Sequence, residues 1–153
     1  MMEINLVCVG KIKEKYLRNA IDEYVKRIQG FARINIIEIK ERNSDDFLKN
    51  LREEGTDIIN AVLDGYVIAL EINGENMDSI IFSEQIEQYF LYNTKKLFFV
   101  IGSSCGLDNE VIKRSNRSLS FSKMTFPHQL MRVIFLEQIY RAFSIINNKK
   151  YHK

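Results

Sequence analysis

The residue types best suited to chemistry gather in the last third of this chain. A glycine-broken loop, Ile101-Gly102-Ser103-Ser104-Cys105-Gly106-Leu107, follows directly on the most apolar run of the sequence, Leu97 to Ile101. Further on stands Ser120-Phe121-Ser122-Lys123-Met124-Thr125-Phe126-Pro127-His128-Gln129, which combines hydroxyls, a cation, aromatic rings and an imidazole. Glycines let backbone N–H groups approach a ligand, but after a strand they equally make a turn. The spacing of Gly102 and Gly106 fits neither the dinucleotide fingerprint nor the phosphate-binding P-loop, so both readings stand. His128 carries a side chain that titrates near about pH 6.5, which suits proton transfer and equally suits packing the start of a helix.

Charge sharpens the picture. From Val111 to Lys153 nine Lys or Arg residues stand against one acid, Glu137, while the first 110 residues hold thirteen basic and nineteen acidic ones. The net charge of +2 thus hides a body near −6 and a C-terminal segment near +8. Such segregation suggests a face for a polyanion, and a solvated basic helix end would give the same count.

Composition removes several classes. With 153 residues and 46% apolar content, the chain fits one compact domain over residues 1–153. No run approaches the roughly 18 to 20 apolar residues that cross a bilayer, and Met1-Met2-Glu3-Ile4-Asn5 lacks a secretory pattern, so a cytoplasmic protein is expected. Cys8 and Cys105 lie far apart and suggest no disulfide framework. His128 and His152 have neither ligand spacing nor a nearby third donor, so no metal is expected.

The elements that must position these residues follow from periodicity. Ile4 to Val9 reads as a buried strand, and Leu17, Ala20, Ile21, Tyr24, Val25 and Ile28 lay one apolar stripe along a helix closed by Gly30. Ile34 to Ile39 is a second strand. Phe47 to Val62 carries a helical pattern that Gly55 interrupts. Tyr66 to Ile72 is a third strand, Phe82 to Phe90 a third helix, and Leu97 to Ile101 a fourth strand. Asp108 can cap a short helix through Ile112, Ser118 to Ser122 reads as a fifth strand, and a long helix runs from about Pro127 to Asn147.

Alternating strands and helices, with strands apolar on both faces, predict a three-layer α/β domain around a parallel sheet. Ligands in such sheets gather at the carboxyl ends of the strands. Three exits there stand out: Leu70-Glu71-Ile72-Asn73-Gly74, Gly102 to Gly106, and Ser122 to Phe126. The terminal helix is apolar almost all round, from Leu130 to Ile146, with His128 and Arg132 on one polar line and Glu137, Arg141 and Ser144 on the opposite one. One small domain has little material to bury such a helix, which predicts a subunit interface. Glu137 and Arg141 also have the spacing of a helical ion pair.

At this point the residues carry a resemblance. Phe99-Val100-Ile101-Gly102, the string Ser120 to Gln129, Arg132, Glu137-Gln138-Ile139-Tyr140-Arg141-Ala142 and the closing Tyr151-His152-Lys153 resemble the ribosomal RNA large-subunit methyltransferase H family. The likeness runs the whole length, including Val9-Gly10-Lys11.

The resemblance implies a SPOUT-class enzyme that methylates N3 of a pseudouridine in 23S ribosomal RNA, within the large subunit or the assembled ribosome. It implies an α/β fold with a C-terminal trefoil knot, an exception to the rule against knots. It implies S-adenosyl-L-methionine as cofactor, held by Leu70, Gly102 and the run Phe121, Ser122, Lys123, Met124, Thr125 and Phe126. A homodimer with the terminal helix at its interface is implied as well, with Arg141, Tyr151, His152 and Lys153 contacting RNA and His128 and Arg132 nearest the chemistry. The family has a second glycine where this chain has Ser103. Two rivals are a non-catalytic RNA-binding or ribosome-assembly protein on the same basic surface and a SPOUT enzyme acting on transfer RNA. The lack of an added RNA-binding domain weighs against the second.

Overall fold

The computed structural model describes residues 2–153. Ten elements alternate along the chain: β1 (Met2–Val9), α1 (Lys15–Ile28), β2 (Ala32–Ile39), α2 (Phe47–Val62), β3 (Tyr66–Asn76), α3 (Ser79–Tyr92), β4 (Leu97–Ile101), α4 (Asn109–Arg114), β5 (Arg117–Ser120) and α5 (His128–Ile146). The strands form one sheet in the order β2-β1-β4-β3-β5, and every neighbouring pair is parallel. The expected three-layer α/β architecture is therefore present.

Strict alternation divides the sheet's side chains between two cores. Ile4, Leu6, Cys8, Leu97, Phe99 and Ile101 join the cluster under α1, α3 and α5, while Val7, Val9, Phe98 and Val100 join Ile58, Val62 and Val111 from α2 and α4. Both faces are covered, which is why these strands read as unbroken apolar runs. Asp46 and Asp78 cap α2 and α3 by accepting from the backbone N–H of Lys49 and Ile81.

Four expectations need correction. Helix α2 runs through Gly55 without a break, because the glycine is a packing contact: a Cβ there would lie 2.9 Å from the Cβ of Asp108. Asp108 in turn makes no side-chain cap of α4 and offers only its backbone carbonyl to Val111 and Ile112. Strand β3 continues past Ile72 to Asn76 through a bulge between Leu70 and Glu75, where a Cβ on Gly74 would stand 2.7 Å from the backbone of Leu119. Strand β5 ends at Ser120, since the Ser120 hydroxyl donates to the Ser122 carbonyl at 2.9 Å and turns the chain away.

Helix α5 finds more cover within one copy than its composition suggests. It lies in a groove between α1 and α3, and Phe135, Leu136, Ile139, Ala142 and Phe143 are fully buried within one copy. Phe135 meets Phe99 of β4 with ring centroids 4.8 Å apart. Only the outer line of the helix, with Leu130 at 37% exposure, is left for another partner.

The route into α5 matters for the site. The chain leaves β5 at the sheet edge, yet α5 begins at the end of β1, where Gln129 Oε1 accepts from the Lys13 N–H at 3.2 Å. Residues 121–127 therefore cross the carboxyl ends of the intervening strands, a path in agreement with the threaded C-terminus that the resemblance implies.

Truncating Phe135, which packs on the central strand and is wholly buried, removes a ring that no neighbour can replace. Phe135→Ala is expected to cost about 3–5 kcal/mol, seen as a lower urea midpoint with an unchanged slope.

Candidate active site

A cleft of about 750 Å³ opens at the carboxyl ends of β3, β4 and β5. Its walls are three chain segments: Leu70 to Ile72, Ile101 to Leu107, and Leu119 to Met131 with gaps. All three exits singled out in the sequence thus meet in one place. Its volume lies in the range of small-molecule and cofactor sites.

The glycine loop is a tight turn held by its own atoms. The Gly106 N–H donates to the Ser103 carbonyl at 2.9 Å, and Gly106 adopts φ +86, a conformation that favours glycine. Gly102 is required on steric grounds, because a Cβ there would come within 2.2 Å of the Gly106 carbonyl oxygen. Ser103 fits the turn well. It is buried, and its Oγ accepts from the Cys105 N–H at 3.2 Å. Cys105 itself is exposed on the rim, whereas burial pushes the Cys8 thiol up to about 11 and leaves it inert.

The facing loop is built from serines. Ser120 donates to the Ser122 carbonyl, and the Ser122 hydroxyl accepts from the Met124 N–H at 2.9 Å. This places Phe121, Ser122, Met124, Thr125 and Phe126 on the cleft wall opposite Leu70 and Gly102. Lys123 alone of the expected cofactor set points elsewhere, being exposed and outside the lining. Met124 is 76% exposed at the mouth of the cleft.

Two ionisable groups besides Cys105 line the cleft, Glu71 and His128. Glu71 was passed over in the sequence, although a carboxylate directly after Leu70 at a strand exit was a usable signal. His128 Nε2 is shut from solvent and has no hydrogen-bond partner among the described residues. Burial holds its pKa below the ordinary 6.5; Glu41 and Glu54 pull the other way, and Arg132 and Lys13 reinforce the depression.

Arg132 does not reach the cleft. Its guanidinium is buried and donates to Glu38 at 2.7 Å and to the Gly10 carbonyl at 3.1 Å, tying the first turns of α5 to the ends of β1 and β2. Its expected place beside the chemistry becomes an anchoring one within this chain.

The tail is also organised differently from a free basic arm. Glu137 accepts from Arg141 at 2.7 Å and from the Tyr151 hydroxyl at 2.9 Å, and the Arg141 guanidinium sits 4.8 Å from the centre of the Tyr151 ring. His152 Nδ1 lies 3.1 Å from Arg141, and burial with the Glu137 bond pushes Tyr151 up to about 12. Of the C-terminal cations, Arg114 binds the Leu63 and Gly65 carbonyls and Arg117 pairs with Glu75. Lys123, Lys149, Lys150 and Lys153 keep no ion pair among the described residues. The tail stands at the far end of α5, whose 19 residues span about 28 Å from His128.

With this geometry in view, comparison with known proteins is decisive. The family model described as a predicted SPOUT methyltransferase matches residues 2–152. The chain belongs to the SPOUT methyltransferase family. Proteins named ribosomal RNA large subunit methyltransferase H from Bifidobacterium animalis subsp. lactis, Clostridium botulinum and Carboxydothermus hydrogenoformans are 51%, 48% and 46% identical, over 99% of this chain and 100% of theirs. A probable methylase family protein from Haemophilus influenzae shares the fold with a TM-score of 0.58 at 15% identity, over 99% of this chain and 70% of its own. A probable methyltransferase from Bordetella pertussis also scores 0.58 at 10% identity, over 93% of this chain and 95% of its own. No described helix is long and apolar enough to cross a membrane.

The depressed His128 pKa has a signed consequence. A histidine whose folded pKa lies below its unfolded value contributes stability in full above about pH 6.5 and loses it as pH falls through the folded pKa. Melting temperature should therefore drop as pH falls below about 6.5, and His128→Gln should flatten that drop.

Proposed function

We propose that this protein is a single-domain, cytoplasmic methyltransferase that uses S-adenosyl-L-methionine to methylate N3 of a pseudouridine in 23S ribosomal RNA of the large ribosomal subunit. The observation that carries this reading is the convergence of Leu70, Gly102 and Phe121 to Phe126, Lys123 excepted, on one open cleft in a SPOUT fold. The names of the full-length relatives support the substrate.

The cofactor supplies a methyl group already made electrophilic by its sulfonium. The protein's task is then placement and proton handling. The backbone of the Gly102 to Leu107 turn and the apolar walls from Leu70, Phe121 and Phe126 suit a nucleoside held by main-chain hydrogen bonds and apolar contact. Glu71 offers the lining's one carboxylate to a cationic ligand. Methylation at an imide nitrogen requires loss of its proton; His128 lines the cleft and burial keeps its imidazole neutral near neutral pH, so it is the candidate acceptor once bound substrate opens access to Nε2, which is shut from solvent in the free protein. Arg132 acts by fixing the helix that carries His128.

The homodimer belongs to the same reading. Cleft and tail stand about 28 Å apart along α5, too far for one copy to use both on one nucleotide. A two-fold pairing of α5 helices in opposite directions would bring the Lys149, Lys150 and Lys153 end of one copy beside the cleft of the other, with Arg141, Tyr151 and His152 forming the rigid base of that end.

Mass spectrometry of large-subunit RNA from cells with and without the gene tests the reaction; an unmodified-to-modified ratio that is the same in both would overturn it. Mixed copies test the shared site. Gly102→Ala disables the cleft, and Lys149→Ala/Lys150→Ala/Lys153→Ala disables the tail. Random pairing of the two inactive variants should restore about a quarter of wild-type activity, since half the dimers then hold one complete site. No recovery would mean that each copy works alone.

A further inference from the structure

A second cleft, of about 290 Å³, lies on the face that α3 covers, at the amino ends of β3, β4 and β5, and shares Leu119 of its wall with the cofactor cleft. We propose that this cleft, walled by Tyr66, Tyr89, Tyr92, Gln85 and Gln88 and flanked by Lys95 and Lys96, is an accessory site that holds an unpaired nucleobase of the RNA substrate.

The sequence devotes a whole stripe of α3 to it. Gln85, Gln88, Tyr89 and Tyr92 recur at the spacing of one helical face, and all four line the cleft, while Glu84 and Glu87 on the same helix do not. A stripe facing a sheet edge would be aliphatic if its task were burial alone. Here the apolar floor of Ile68, Phe82 and Ile86 is topped by three amides, Gln85, Gln88 and Asn93, and three phenols. Aromatic faces that stack and amides that bond polar ring edges are the chemistry by which proteins take unpaired bases.

The aromatic wall is rigid on one side and free on the other. Tyr66 and Tyr89 have ring centroids 5.2 Å apart, and the Tyr89 hydroxyl is spent on the Lys95 carbonyl. Tyr92 is 81% exposed and has no hydrogen-bond partner among the described residues, so a flat ring is presented at the mouth.

Positive charge sits beside it. The Tyr66 N–H donates to the Lys96 carbonyl at 2.8 Å, which keeps Lys95 and Lys96 at the rim, and neither side chain has an ion pair among the described residues. Arg117 also lines the cleft, but Glu75 holds it at 2.6 Å and cancels its charge. The cleft shares its end of the molecule with the tail. Phe90 of α3 meets Tyr89 edge to face at 5.5 Å and approaches Phe143 of α5 at 6.5 Å, and Lys149 and Lys150 follow the end of that same α5. RNA gripped by the tail would find the next foothold here.

The proposal rests on the ribosomal RNA reading, and its test separates the two. Fluorescence anisotropy with a labelled, unstructured RNA dodecamer and with its duplex, at several salt concentrations, measures binding by the full protein. Single strand should bind more tightly than duplex. Tyr92→Ala, at an exposed position where folding is safe, should weaken single-strand binding roughly five- to hundredfold with an unchanged salt slope, and Tyr92→Phe should restore it. Lys95→Ala/Lys96→Ala should lower the slope by about 1.4. S-adenosylmethionine affinity should not move in any of these variants. Wild-type binding by Tyr92→Ala overturns the site, as does a wild type that methylates ribosomal RNA yet prefers duplex. A wild type that neither binds nor methylates RNA removes the functional reading itself.

Discussion

Everything at the carboxyl end of the sheet depends on how α5 is pinned to β1 and β2. The chain comes off β5 at one edge, and the buried Arg132 guanidinium joins Glu38 and the Gly10 carbonyl on the other side of the sheet. The Arg132 side chain is shut from water while Glu38 is partly exposed, so removing Glu38 would leave a buried cation without its counter-charge. With both ends of the segment from Phe121 to Pro127 held, it must pass over β3 and β4. The cleft is the space between that crossing and the Gly102 turn beneath it.

The same economy governs the basic segment. Its surplus of cations suggests an open electrostatic surface, yet arginines and lysines divide their labour. Arg114, Arg117, Arg132 and Arg141 bind carbonyls or carboxylates of this chain and Lys113 pairs with Glu110, while the lysines at 123, 149, 150 and 153 have no ion pair among the described residues. A guanidinium satisfies several acceptors in a fixed plane and so serves structure; a mobile ammonium stays hydrated and serves as a point charge for phosphate. Long-range attraction for a polyanion then resides in few residues, three of which the folded tail holds at one end of α5.

Much of the fold was legible because local periodicity reports local structure. Leu97 to Ile101 was bounded correctly by its unbroken apolar run, and α5 by Pro127 at one end and the loss of apolar residues after Ile146 at the other. The three strand exits were legible for the same reason, since a parallel sheet places all carboxyl ends on one side, whereas the cofactor role proposed for their residues came from the family resemblance. Errors came where a residue's role depends on something distant. Gly55 looked like a break until Asp108 was seen against it, and the reach of β3 beyond Ile72 depends on a bulge matched to Leu119.

The sequence by itself determined the layer architecture, the three strand exits that meet at the cleft and, through its resemblance, the family. Alternation, capping and glycine placement act within a few residues, so they are written where they operate. Only the tertiary structure decided that Arg132 serves as an anchor to Glu38, 94 residues away, that Arg141 and Tyr151 are bound to Glu137, and that cleft and tail lie at opposite ends of one helix. The burial of a charge and the partner of a guanidinium depend on which distant segments meet. No spacing along the chain encodes that.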